Sequence, residues 1–184
     1  MKIIEEELLP PLILSTECGY DFNPNDMQLR SEDHGVISNI VVVRVVRPTM
    51  VDAHTLKNKI DEYINKITNL SEEKRSWLLK ALRFWNRGST EPDNIDKFID
   101  YYIAFEIFVN RVIGGKPIHE LEQQYNIKLT FNGYQVNIIR AAILHGSHKK
   151  KLLIDEAIKI ADKHVEEFGK NLWLLIQRYL TQTH

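Results

Sequence analysis

The stretch IDKFIDYYIAFEIFVNRVI, residues 95–113, decides the fold. Ile95, Phe98, Ile99, Tyr102, Ile103 and Phe105 begin a run of apolar side chains that continues through Ile107, Phe108, Val109 and Val112. These positions follow the 3.6-residue period of a helix and cover most of its circumference. A helix without a wide polar face has to be surrounded, so this one is expected at the centre of a bundle. Gly114 and Gly115 end it, because glycine accepts the left-handed backbone that closes a helix. Glu106 stands among apolar neighbours, where an unpaired carboxylate is costly to bury, so a buried salt bridge to Arg140 or Arg111 is expected.

Outward from this helix the same period persists. Leu56, Ile60, Tyr63, Ile64 and Ile67 place one apolar stripe on a helix from about Val51 to Ile67. Ser71 suits the N-cap of the next helix, with Glu72 and Glu73 in its first turn and Trp77, Leu78, Ala81, Leu82 and Trp85 on its apolar face. The turn-rich linker NRGSTEPDN, Asn86 to Asn94, is expected to break that helix. Downstream, Pro117 fits the first turn of a short helix reaching Tyr125, and a fifth helix spans about Tyr134 to Leu144 and closes on Gly146. A last helix follows from about Leu152 to Leu180, with a kink expected at Gly169.

The first 48 residues read differently. VISNIVVVRVV, Val36 to Val46, is rich in β-branched residues and predicts a strand. Leu8 to Leu14 is apolar but broken by Pro10 and Pro11, and Cys18 to Gly35 has the Gly, Pro, Asn and Asp content of a long loop. The expected fold class is therefore mainly α: an up-and-down helical bundle over residues 49–184 with a short N-terminal β-ribbon or arm over residues 1–48.

Composition agrees with an ordinary globular chain of 184 residues, 43% hydrophobic and 27% charged, which excludes disordered and collagen-like classes. No apolar run approaches the ~18 residues of a membrane span, and MKIIEEELLPPL lacks the basic and apolar regions of a signal peptide. A soluble cytoplasmic protein without membrane contact is expected. Cys18 is the only cysteine, so no intrachain disulfide forms. The net charge of −1 hides an asymmetry: residues 1–110 carry 13 Lys and Arg against 18 Asp and Glu, whereas residues 111–184 carry 11 against 7. Such a split lets one face meet an anion or a second copy.

Fingerprints for dinucleotides, P-loops, nucleophile elbows and zinc proteases are absent. What remains is RAAILHGSHKKK, Arg140 to Lys151, with six basic or imidazole side chains in twelve residues. Arg140 and His145 suit metal-independent phosphodiester cleavage in RNA. A guanidinium clamps the phosphate, an imidazole moves protons near neutral pH, and the substrate's own 2′-hydroxyl is the nucleophile. No cofactor is required. His148, Lys149, Lys150 and Lys151 are the candidates to hold flanking RNA phosphates. On a regular helix a five-residue offset separates Arg140 from His145 by about 140°, so they share a face only if the last turn is distorted or the long Arg140 side chain reaches around it, and a second copy could also supply the missing half of a site.

Arg140-Ala-Ala-Ile-Leu-His145 resembles the R-x4-6-H motif of HEPN domains. The helix from Ile95 to Val109, with Glu106 amid apolar residues, is similar to the central helix of the Apea-like HEPN subgroup, as is Leu144-His-Gly146. The resemblance covers roughly Ser71 to Tyr179. It implies a homodimer in which Arg140 and His145 of both copies meet in a composite cleft, with Glu106 in support. It also implies an endoribonuclease of a toxin, antiviral or RNA-processing system, with an antitoxin or another protein as a candidate partner. Active members often have a polar residue directly after the arginine, where this chain has Ala141. Two other readings stand beside this one: a catalytically inactive module that binds RNA or protein, and a structural dimerisation domain paired through the Val36 to Val46 strand.

Overall fold

Two short polar side chains start the helices that carry the core. The Ser71 hydroxyl accepts from the Lys74 amide at 3.4 Å. One Asp93 carboxylate oxygen accepts from the amides of Ile95 and Asp96 at 2.8 and 3.0 Å. Each satisfies amide donors that the first turn of a helix leaves without a partner. The computed structural model describes residues 20–21, 28–31, 37–40, 44–45, 53–146 and 152–182. Its helices are α1 (Ala53–Thr68), α2 (Glu72–Thr90), α3 (Asn94–Ile107), α4 (Ile118–Tyr125), α5 (Val136–His145) and α6 (Ile154–Gln182). The protein is a mainly helical bundle. Among the described residues no helix is long and apolar enough to cross a membrane.

The central position expected for α3 is observed, since it packs against α2, α5 and α6. A π-helical segment, Phe108–Ile113, continues α3 and ends on Gly114 at φ 98°. Gly114 and Gly115 both donate to the Val109 carbonyl, at 3.1 and 2.9 Å. The buried aromatic rings interlock across the bundle. Phe98 and Phe168 meet at 5.1 Å, Trp85 and Trp173 at 4.9 Å, and Phe108 meets Tyr179 edge-on at 5.4 Å. Trp85 and Trp173 are thus core residues. Trp77 is half-buried, with Lys80 and Arg111 each 5.1 Å from its ring.

Two glycines have a packing role that the sequence did not show. The helix expected to break in the linker Asn86 to Asn94 runs on to Thr90 before it ends there, and α6 is continuous through Gly169. Both glycines face the ring of Tyr101. A methyl group at Gly88 would lie 2.8 Å from Tyr101 Cδ1, and one at Gly169 would lie 2.4 Å from Cε2. Absence of a side chain here serves close approach of three helices. Trp85 Nε1 fixes the same point by donating to the Gly169 carbonyl at 3.0 Å.

Two buried charges flank this contact, and both are paired. Asp100 accepts a two-pronged contact from Arg87, with Nε to Oδ2 at 2.6 Å and the second guanidinium nitrogen on Oδ1. That hydrogen bond raises the Arg87 pKa above its ordinary value. Lys97 reaches Glu166 at 3.0 Å.

The N-terminal β-ribbon is present as two antiparallel pairs, one enclosing the other in sequence. β1 (Tyr20–Asp21) pairs with β4 (Arg44–Val45), and β2 (Gln28–Ser31) with β3 (Ile37–Ile40). The expected strand Val36 to Val46 therefore contributes to two pairs, and the expected loop Cys18 to Gly35 supplies their partners. The apolar stretch Leu8 to Leu14 and Cys18 lie outside the described residues.

Replacing Gly169 with Ala adds a better helix former yet forces Tyr101 from its seat. We predict a net loss of about 1–3 kcal/mol, read as a fall of several degrees in the thermal midpoint. In a double-mutant cycle with Tyr101→Leu the two losses should be strongly non-additive, because the smaller side chain removes the clash.

Candidate functional site

The sequence TFNGYQ, residues 130–135, sets the direction of the helix that carries the candidate pair. β5 (Thr130–Phe131) and β6 (Tyr134–Gln135) form a tight hairpin whose turn residues Asn132 and Gly133 have φ of 50° and 83°. Two positive φ values are what a two-residue hairpin turn demands, and Asn-Gly supplies them. The Val136 amide donates to the Leu129 carbonyl at 3.0 Å, so α5 starts directly off the hairpin. Val136, Ile138, Ile139 and Ala142 bury its inner face.

Arg140 is half-buried on α5, and its guanidinium carbon lies 5.4 Å from the centre of the Tyr102 ring on α3. A cation over an aromatic face is held by the negative quadrupole of the ring. His145 is the last residue of α5 and is exposed, followed by Gly146 at φ 78°. The helix is regular throughout, so the distortion that would bring His145 round to Arg140 does not occur. On such a helix the two residues leave the axis about 140° apart. His148, Lys149, Lys150 and Lys151 lie outside the described residues.

Glu106 corrects an expectation. It is exposed, and it forms no ion pair with Arg140 or Arg111 among the described residues. The reason is the position of α3 at the edge of a groove: Tyr102, Phe105 and Val109 turn inward, while Glu106 and Asn110 share the face left open. Glu106 and Arg140 nevertheless both act electrostatically on the Tyr102 phenol. Burial raises the Tyr102 pKa first, Glu106 raises it further, and Arg140 opposes them.

The groove has a volume of about 310 Å³ and lies between α3 with its π-helical end and the starts of α4 and α5. Glu106, Asn110, Lys116, His119, Gln135 and Asn137 supply its polar lining. Lys116 donates to the Gln124 side-chain oxygen at 2.6 Å, a neutral partner, and forms no ion pair among the described residues. Sequence reasoning missed His119 and the groove as a whole. The Asn-Gly turn was a local signal for the hairpin, but nothing in the spacing of positions 106, 116, 119 and 137 joins them. Comparison with known proteins gives no match: no family model, curated protein or solved structure is significantly similar to this chain.

The Tyr102 environment predicts a specific titration. The folded pKa lies above the ordinary value of about 10, so this residue's contribution to stability is complete below that pH and is lost as pH rises through the folded value. Phenolate absorbance, with Tyr102→Phe assigning the late component, should move down in Glu106→Gln and up in Arg140→Gln. No movement in Arg140→Gln would contradict the seat of Arg140 over Tyr102.

Proposed function

We propose that the protein is a HEPN-type, metal-independent endoribonuclease that acts as a homodimer. The observation that carries the reading is the pair Arg140 and His145 on α5, a late helix packed against the central α3, with Arg140 positioned on Tyr102 and His145 exposed at the helix end. The separation of the two side chains within one chain accounts for the dimer: Arg140 of one copy and His145 of its partner complete one site. In that site the 2′-hydroxyl oxygen attacks the adjacent phosphorus as an imidazole takes its proton. The bond to the 5′-oxygen breaks, and that oxygen takes a proton. The products are a 2′,3′-cyclic phosphate and a 5′-hydroxyl end. Arg140 stabilises the extra negative charge on the phosphoryl oxygens as the transition state forms. Glu106 acts at a distance through Tyr102. The lysines at 149–151 and His148 hold neighbouring phosphates.

A second reading is favoured by the same separation and by Ala141, which offers no polar side chain beside Arg140. In it the protein is an inactive HEPN module that binds RNA or a protein partner. A cytoplasmic setting and a toxin or defence role belong to the first reading.

Cleavage of a mixed-sequence single-stranded RNA in EDTA separates the two. The wild type should cut and leave cyclic phosphate ends, and both Arg140→Ala and His145→Ala should lose about a hundredfold or more in rate. The thermal midpoint of His145→Ala should stay within a few degrees of wild type, since an exposed residue contributes little to stability. A folded wild-type dimer that leaves RNA intact would favour the inactive module.

A further inference from the structure

We infer that the groove between α3, α4 and α5 is a subsite for one unstacked RNA nucleotide whose base carries an exocyclic amino group. The inference deepens the ribonuclease reading and rests on it for the passage of RNA beside Arg140. Size and position come first. About 310 Å³ is at the small end of ligand pockets, suited to a single nucleotide rather than a duplex or a peptide helix. Arg140 does not line the groove itself, but it lies over the ring of Tyr102, which is part of the groove wall, so one residue links the groove to the arginine.

The lining then selects the occupant. Asn110 and Asn137 carry side-chain amides of the kind that read base edges in single-stranded RNA; Asn137 Oδ1 accepts from the Ile138 amide at 3.0 Å, so its NH2 is the group it presents. Lys116, without a carboxylate partner among the described residues, suits the phosphate of the bound nucleotide. Glu106 is exposed on the open face of α3 and only accepts hydrogen bonds when ionised. A carboxylate accepts from the exocyclic amino group of cytosine, adenine or guanine. It is a poor one for uracil, whose single edge N–H lies between two carbonyl oxygens that repel the second carboxylate oxygen. His119 is exposed at the start of α4 on the same groove and can donate or accept beside the ribose or phosphate.

The experiment uses 2′-O-methyl hexamers of A, C and U, in which the nucleophile is blocked, and measures their binding to the full chain by fluorescence anisotropy. The A and C hexamers should bind about tenfold more tightly than U, and Glu106→Gln should reduce that ratio to near unity. Asn137→Ala should weaken A and C several-fold while leaving U almost unchanged. Lys116→Ala should weaken all three and lower the salt slope by about 0.7. Glu106 and Asn137 are exposed, so these variants retain the fold, which a thermal midpoint verifies. Equal affinity for the three hexamers, or a ratio unaltered by Glu106→Gln, would overturn the inference. Cleavage of the 2′-hydroxyl hexamers is scored separately. Cutting without base discrimination removes the subsite and leaves the nuclease, whereas discrimination without cutting removes the nuclease and leaves the subsite.

Discussion

The ring of Tyr101 fills the space between two helices that have no side chain where they meet it. Gly88 on α2 and Gly169 on α6 are both so close to this ring that a single added methyl group would overlap it. The contact fixes how near α2, α3 and α6 can come to one another, and the remaining core follows from that spacing. Trp85 and Trp173 pack next to it with their rings tilted by 41°, and Phe168 and Tyr101 meet edge to face with ring centres 6.3 Å apart. Interiors are packed like organic crystals, so a contact this close leaves little freedom for sliding. The charged groups at its border reinforce the same geometry. Arg87 and Asp100 connect α2 to α3, and Lys97 and Glu166 connect α3 to α6. Because Asp100 and Lys97 are both nearly inaccessible, loss of either partner would strand a buried charge, a far greater penalty than loss of an exposed pair.

The open side of α3 is what this arrangement leaves for function. With α2 and α6 occupying most of its circumference, the strip bearing Glu106 and Asn110 meets the short helix α4 and the beginning of α5. The π-helical turns at Phe108–Ile113 shape the end of this strip, and irregular turns of this kind are frequent at functional sites. The Asn-Gly hairpin launches α5 so that Gln135 and Asn137 reach the same side. A lysine, a carboxylate and several amides thus converge from segments distant in sequence. The bundle supplies a rigid floor, Tyr102, beneath them.

In the proposed dimer these features divide the work. Arg140 is preorganised by its own chain, held over an aromatic ring and half-removed from water, where its charge acts more strongly on a phosphate. His145 is at the free end of α5, exposed and suited to reach toward another copy. A site assembled from two copies explains why neither side chain finds the other within one chain. It also makes activity dependent on association.

Local signals were legible in the sequence because their physics is local. The 3.6-residue period gave α3 and its central place, Ser71 capped α2, and Gly114 and Gly146 ended helices at positive φ. The N-terminal ribbon was legible as a tendency of Val36 to Val46, but its pairing partners lay in a stretch rich in turn residues. Arg140 and His145 were visible as a motif. The sequence by itself thus determined the helical class, most helix ends and the identity of the two candidate residues. Only the tertiary structure decided that Gly88 and Gly169 are seats for a ring, that Glu106 is open to water, and that His119 shares a groove with Asn137. Those outcomes depend on which faces of separate helices meet, and no spacing along the chain records a meeting that packing alone creates.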